Sequence, residues 1–200
     1  MKTEFIDTLI VGAGQAGLAT SEHLSNHGVP HLIIEKNRIV ESWRSCRWDS
    51  LVANGPAWHD RFPTLDFEDH SPNYFAHKNE IIEYFEKFAK KINAPIRTNV
   101  LVEEATKDFT TNQFKIKTPD GIIKSKNIVV ATGAFQKPVM PSIIPEQENL
   151  NQIHSQFYKN PNQFSEGAIL VIGSGSSGSQ IAQELMLSGK KVFLSIGPHN

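Results

Sequence analysis

Thr8-Leu9-Ile10-Val11-Gly12-Ala13-Gly14-Gln15-Ala16-Gly17 is an apolar, β-branched run that breaks at a glycine and resumes as a helix-like stretch. A short run of this kind reads as a strand buried on both faces. Gly12 permits a tight turn, Gly14 removes a side chain that would collide with a phosphate, and Gly17 lets helix and strand pack closely. Gln15 and Ala16 fall where the free N–H groups at the positive end of a helix face an anion. The helix is expected over Ala16 to Asn26, stopping at Gly28. A second strand, His31-Leu32-Ile33-Ile34, ends in Glu35 and Lys36. Glu35 lies near the spacing, about 20 residues beyond the turn, of the carboxylate that accepts ribose hydroxyls.

The pattern recurs. Gly167-Ala168-Ile169-Leu170-Val171-Ile172 is a strand, Gly173-Ser174-Gly175-Ser176-Ser177-Gly178 a second glycine turn, and Gln180 to Leu187 a helix closed by Gly189. A strand over Lys191 to Leu194 follows. Allowing a connection one residue shorter, Ser195 falls where the first repeat has Glu35. A carboxylate there favours a free ribose 2′-OH and repels a 2′-phosphate, whereas serine leaves room for the phosphate and can donate to it. That favours NADPH over NADH at the second turn. Two dinucleotide turns in one chain suit a flavin fed by a nicotinamide.

The 200 residues are 39% hydrophobic, an ordinary globular composition, and the net charge of −1 gives no basic footprint for nucleic acid. No apolar stretch is long enough to span a membrane, and the N-terminus runs almost directly into the first strand. A cytoplasmic location is therefore expected. Cys46, the single cysteine, excludes an intramolecular disulfide or a Cys-x-x-Cys pair and argues against disulfide reduction. No metal-ligand cluster or Ser/His/Asp triad is legible. A mononucleotide-binding half needs about three strands; the second repeat shows two before Gly197-Pro198-His199-Asn200, so a fragment or truncated product is expected. The expected organisation is a first dinucleotide domain over 1–145, a linker over 146–166 and the start of a second dinucleotide domain over 167–200.

Between the turns, Ser42 to Phe67 reads as irregular and aromatic-rich, with Trp43, Arg44, Arg47, Trp48, Asn54, Trp58 and His59 suited to walling a planar ring. His59 and Asp60 are adjacent, and their side chains are expected to diverge. Asn79 to Lys91 is an amphipathic helix with Ile82, Phe85, Phe88 and Ala89 inward. Asn99 to Val102 reads as a strand, and Phe114 to Thr118 forms a hairpin with Ile122-Ile123 around Pro119-Asp120-Gly121. A further strand, Asn127 to Val130, closes on Ala131-Thr132-Gly133, small residues that suit the side of a ligand at a strand's carboxyl end.

Together these segments resemble the flavin-containing monooxygenase superfamily, in particular its bacterial single-component, YUCCA-like members. The matching segments are the Gly12–Gly17 turn, Ser42 to Leu51, Pro56-Ala57-Trp58-His59, Ala131-Thr132-Gly133 and the Gly173–Gly178 turn with Gln180-Ile181-Ala182. The likeness covers the first half of such a protein. It implies an α/β flavoprotein with two dinucleotide-binding domains: a Rossmann-like FAD domain carrying a small antiparallel β insertion, then the start of a Rossmann-like NADPH domain. It further implies FAD diphosphate on the first turn, the adenosine ribose on Glu35 and the adenine on the backbone of Val102. Trp43, Arg44 and Trp48 would lie along the FAD, and Asn54 near the reactive edge of the flavin. The family's Phe-x-Gly-x-x-x-His-x-x-x-Tyr fingerprint is half present: His154 and Tyr158 are kept, while Glu148 and Leu150 stand at the Phe and Gly positions. Tyr158 in place of Trp separates the chain from the Baeyer–Villiger branch. The implied chemistry is oxygenation of a small organic substrate by O2 through a flavin C4a-hydroperoxide, with NADPH as reductant. The alternatives are a flavin reductase or oxidase that releases hydrogen peroxide, and a catalytically silent truncated flavoprotein. A homodimer, or a missing C-terminal half, are the expected protein partners.

Overall fold

A computed structural model describes residues 2–68, 70–142, 145 and 147–197. Pro198, His199 and Asn200, on which the reading of the second repeat ends, lie outside the described residues, as does Glu146 at the expected linker boundary. The chain forms two compact units. The first comprises Met1–Ser45 and Val52–Gln136, and the second Cys46–Leu51 and Lys137–Asn200.

The first unit is built on a central strand, β1 (Lys2–Val11). A tight glycine turn leads to α1 (Gln15–Asn26), which returns the chain to β2 (His31–Ile34). Next come α2 (Glu41–Ser45), α3 (Lys78–Lys91), the two-residue β3 (Ile96–Arg97), β4 (Glu104–Asp108), β5 (Gln113–Thr118) and β6 (Gly121–Val130). The sheet order is β3-β2-β1-β6-β5-β4. β2 and β6 flank β1 in parallel, with Val11 opposite both Ile34 and Val130. β5 and β4 add antiparallel strands beyond β6. Helices connect β1 to β2 and β2 to β3, which are parallel, whereas β4, β5 and β6 follow one another as antiparallel neighbours.

Alternation along β1 separates two cores. Ile10 and Ile33 face α1, α3 and the loop aromatics, with Leu18, Phe62, Phe85 and Phe88. Leu9, Leu32 and Ile34 face the other way, with Ile116 and Ile123. The inward set expected on α3 is buried, joined by Ile81 and Tyr84. A capping box starts this helix: His77 Nδ1 accepts the Asn79 N–H, and Glu80 Oε2 accepts the His77 N–H at 2.7 Å.

Two expectations are corrected and one strand is added. Asn99 to Val102 is not a strand: Asn99 has φ +59°, its N–H bonds the Asn37 carbonyl, and the Val100 N–H bonds that of Glu35. The chain therefore bends across the end of β2. The hairpin strand Ile122-Ile123 and the run Asn127 to Val130 are one ten-residue strand, β6, because its polar middle still pairs with β1 and β5. Finally, β4 is an exposed edge strand with no apolar alternation, so pairing with β5 alone defines it.

In the second unit, β7 (Ala168–Ile172) and β8 (Lys191–Ser195) pair in parallel, and α4 (Ser176–Leu187) packs Ile181, Ala182 and Leu185 inward. Cys46–Leu51 is bound into this unit. The Asp49 N–H donates to the Lys159 carbonyl, and Asn160 Nδ2 to Asp49 Oδ2, both at 2.7 Å. Ser50 Oγ and the buried Tyr158 hydroxyl donate to the two oxygens of Glu184 on α4 at 2.7 and 2.8 Å. Burial first, and then the Glu184 contact, raise the Tyr158 pKa well above the ordinary phenol range.

Candidate functional site

The first glycine turn leaves β1 with Gly12 at φ +112°, a region that side chains rarely adopt. Its N–H bonds the Ile34 carbonyl at 2.8 Å, tying the turn to β2. A Cβ on Gly12 would overlap the Ala131 carbonyl, and one on Gly17 would overlap the carbonyl of Gly12. Gly14 differs: among the described residues, nothing beyond its own chain neighbours lies within 4 Å of a Cβ built there. It is the cap residue of α1 and supplies no side-chain hydrogen bond to the helix start. Gln15, Ala16 and Gly17 thus present a helix N-terminus beneath open space, which suits a diphosphate.

Glu35 ties the end of β2 to this turn. Its Oε2 accepts the Ala13 N–H and its Oε1 the Asn37 N–H, both at 2.9 Å. Each carboxylate oxygen can accept a further bond, so a ribose hydroxyl can still be received. The bend at Asn99 brings Val102, half-buried, into the core that lines β2. Lys36 Nζ donates to Gln136 Oε1 at 3.1 Å, and Gln136 Nε2 donates to the Thr132 carbonyl, so the ends of β2 and β6 share a rim. Gly133 follows at φ +79°.

Val40 carries no signal in the sequence. It is buried, has φ +60°, and gives its N–H to the Ala13 carbonyl of the turn. A β-branched residue in this region is strained, by about 1–3 kcal/mol. Val40 leads into α2, which runs on into the stretch expected to be irregular. There Arg38 forks onto Glu41 through Nε and Nη2 at 2.8 and 2.9 Å, and Ser45 Oγ also donates to Glu41. The Arg38 bonds lead in lowering the Glu41 pKa to about 2. Trp43 packs against the core from α2. Arg44 is held by Glu86 at 2.5 Å and by the Ile39 carbonyl. Trp48 is buried in the second unit, whereas Trp43 and Arg44 belong to the first.

Asn54 lies on an exposed loop pinned at both flanks: the Ala53 N–H bonds the Ala76 carbonyl, and the Ala57 N–H that of Tyr74, each at 2.7 Å. Behind the loop, Phe62 stacks on Phe88 with ring centroids 3.7 Å apart. The Tyr84 hydroxyl accepts the Phe62 N–H and donates to the Leu65 carbonyl at 2.7 and 2.5 Å. The expectation that His59 and Asp60 diverge is wrong. Both their N–H groups bond the Pro56 carbonyl, and this tight turn swings the side chains together, with His59 Nδ1 2.7 Å from Asp60 Oδ1.

The second turn repeats the geometry of the first. Gly173 has φ +102°, a Cβ on Gly178 would overlap the Gly173 carbonyl, and Gly175 caps α4 with open space above it. Ser176 and Ser177 form the first turn of α4, with Gln180 one turn further on. The register corrects one comparison. Ile172 pairs with Ser195 as Val11 pairs with Ile34, and the Gly173 N–H bonds the Ser195 carbonyl as the Gly12 N–H bonds that of Ile34. No residue is missing from the connection. Ile196, largely exposed, therefore stands where Glu35 does.

The chain matches the pyridine nucleotide-disulphide oxidoreductase family over residues 9–199. It is 39% identical over 194 residues to an uncharacterized CzcO-like oxidoreductase of Geobacillus kaustophilus, an alignment covering 96% of this chain and 54% of the relative. It is 36% identical over 183 residues to the probable indole-3-pyruvate monooxygenase YUCCA1 of Arabidopsis thaliana, covering 89% and 44%. A solved flavin-containing monooxygenase from Stenotrophomonas maltophilia shares the fold, with TM-score 0.83 and 20% identity over 98% of this chain and 59% of that one. The chain spans about half the length of the curated relatives it matches.

Proposed function

The chain belongs to the pyridine nucleotide-disulphide oxidoreductase family, and on that premise we propose that it is the nucleotide-binding half of an FAD- and NADPH-dependent oxidoreductase of the flavin monooxygenase type. The observation that carries this reading is the duplicated turn. Two glycines at φ +112° and +102° each precede an open, glycine-capped helix N-terminus. Because Gly12 to Gly17 form an open cradle joined to a carboxylate, the first site fits FAD: diphosphate over Gly14, Gln15, Ala16 and Gly17, ribose on Glu35, and adenine along the backbone at Val102. Lys36, Trp43, Arg44 and Ala131 to Gly133 would line that cofactor, with Asn54 beside the flavin ring.

The second site fits a nicotinamide dinucleotide over Gly173, Gly175, Ser176, Ser177 and Gly178, with Gln180 and Ser195 beside it. Ile196 leaves this second site open to NADPH. An isoleucine accepts no ribose hydroxyl and repels no phosphate, so the position that would select against NADPH is neutral.

Bound FAD supplies electron transfer from NADPH to O2 and delivery of one oxygen to a small organic substrate. The protein's residues do the remaining work. Glycine backbones receive phosphates, Glu35 fixes the ribose, and Asn54 offers a donor and an acceptor at the ring. The monooxygenase outcome is favoured by the YUCCA1 likeness. The test is reconstitution of the purified chain with FAD, then anaerobic titration with NADPH and with NADH. Stoichiometric flavin uptake and faster bleaching by NADPH are expected. Failure to bind flavin would sink the proposal, and release of all reducing equivalents as hydrogen peroxide would favour an oxidase.

A further inference from the structure

We propose that Asp60 is a positioning residue of the Asn54 loop, holding the Asn54–Gly55 peptide in place through its carboxylate; this rests on the reading of Asn54 as flavin-facing. Asp60 Oδ2 accepts the Gly55 N–H at 2.8 Å. A charged acceptor makes such a bond roughly twice as strong as a neutral one. The three atoms nearest to a Cβ built on Gly55 all belong to the Asp60 carboxyl group. Gly55 is not among the residues at positive φ, so space rather than conformation demands a glycine there. Glycine and acid are therefore a matched pair, the first clearing the room that the second fills.

The acid is itself fixed. Its N–H bonds the Pro56 carbonyl at 3.0 Å, while the Ala53–Ala76 and Ala57–Tyr74 bonds pin the loop on either side. Its other oxygen faces His59 Nδ1 at 2.7 Å. One carboxylate thus holds two polar groups of the loop, the Asn54–Gly55 peptide and the His59 ring.

The experiment uses the 200-residue chain and the variants Asp60→Asn, Asp60→Ala, Asn54→Ala and the double variant Asn54→Ala/Asp60→Ala. Hydrogen exchange at the Gly55 amide, read by NMR without cofactor, is expected to accelerate by about tenfold or more in Asp60→Ala and by less in Asp60→Asn. Visible circular dichroism of added FAD is expected to change in both alanine variants. The double variant should change no further than Asn54→Ala alone, because the two residues act as one unit. Unchanged Gly55 exchange in Asp60→Ala overturns the proposal, as do additive flavin effects. A flavin signal that responds to Asn54→Ala but not to Asp60→Ala overturns the proposal alone. A signal that ignores Asn54→Ala overturns the reading beneath it. Asp60→Asn, which keeps an acceptor oxygen, is the folded control.

Discussion

At the residue scale, the glycines of the first turn have separable duties. Gly12 and Gly17 are required by the fold, since side chains there would strike backbone carbonyls, whereas Gly14 borders open space. Gly14→Ala is therefore expected to cost only about 1 kcal/mol, the difference between a glycine and an alanine cap. Its FAD affinity should nevertheless fall by about tenfold or more, because the new methyl group meets the diphosphate. Thermal melts and a flavin-fluorescence titration check this, and parent-like affinity would remove the diphosphate from the turn. Gly12→Ala should instead lose about 3 kcal/mol or more in the apo chain. Ser125 offers a contrast. Its hydroxyl is buried in β6 and has no hydrogen-bond partner among the described residues. Ser125→Ala should raise stability by about 1 kcal/mol, measured by denaturant unfolding.

At the element scale, α2 and α3 present the loop residues. Glu41 anchors α2 with its pKa held near 2, against 4.5 for the unpaired group. A depressed pKa gives stability that is present above about pH 4.5 and lost as the pH falls towards 2. Glu41→Gln should therefore narrow the stability gap to the parent as pH drops through that window. The gap is expected to be no more than about 1 kcal/mol, because Arg38 is mostly exposed. A pH series of denaturant melts reads it. On α3, Tyr84→Phe removes both the acceptor for the Phe62 N–H and the donor to the Leu65 carbonyl. A loss of about 1–3 kcal/mol is expected by the same method, with the ring stacking on Phe67 retained.

At the scale of the whole molecule, the two units are unequally built. The first encloses its parallel strands between two cores. In the second, Leu170, Ile172, Phe193 and Ile196 remain exposed on or beside a two-stranded sheet. Hydrogen exchange should therefore run through β7 and β8 well before β1 and β6, and a hydrophobic dye should bind the native chain. Equal protection of both sheets would contradict this.

Much of the site is legible in the chain because glycine turns, strand runs and an acid at fixed spacing are local patterns. Each follows from what one residue's backbone or side chain permits. Both βαβ units, the inward face of α3 and the seat of Glu35 follow directly. What only the tertiary structure decided depends on contacts distant in sequence or on fine register. β4 exists because β5 pairs with it, and β6 is continuous because β1 spans its polar middle. Val40 is strained because the glycine turn takes its N–H. Ile196, rather than Ser195, opposes the glycine turn as Glu35 does, because strand pairing counts residues that a glycine comparison misaligns by one. The convergence of His59 and Asp60 belongs to the same class. Adjacent side chains diverge in an extended chain, and a turn closed on the Pro56 carbonyl brings them together.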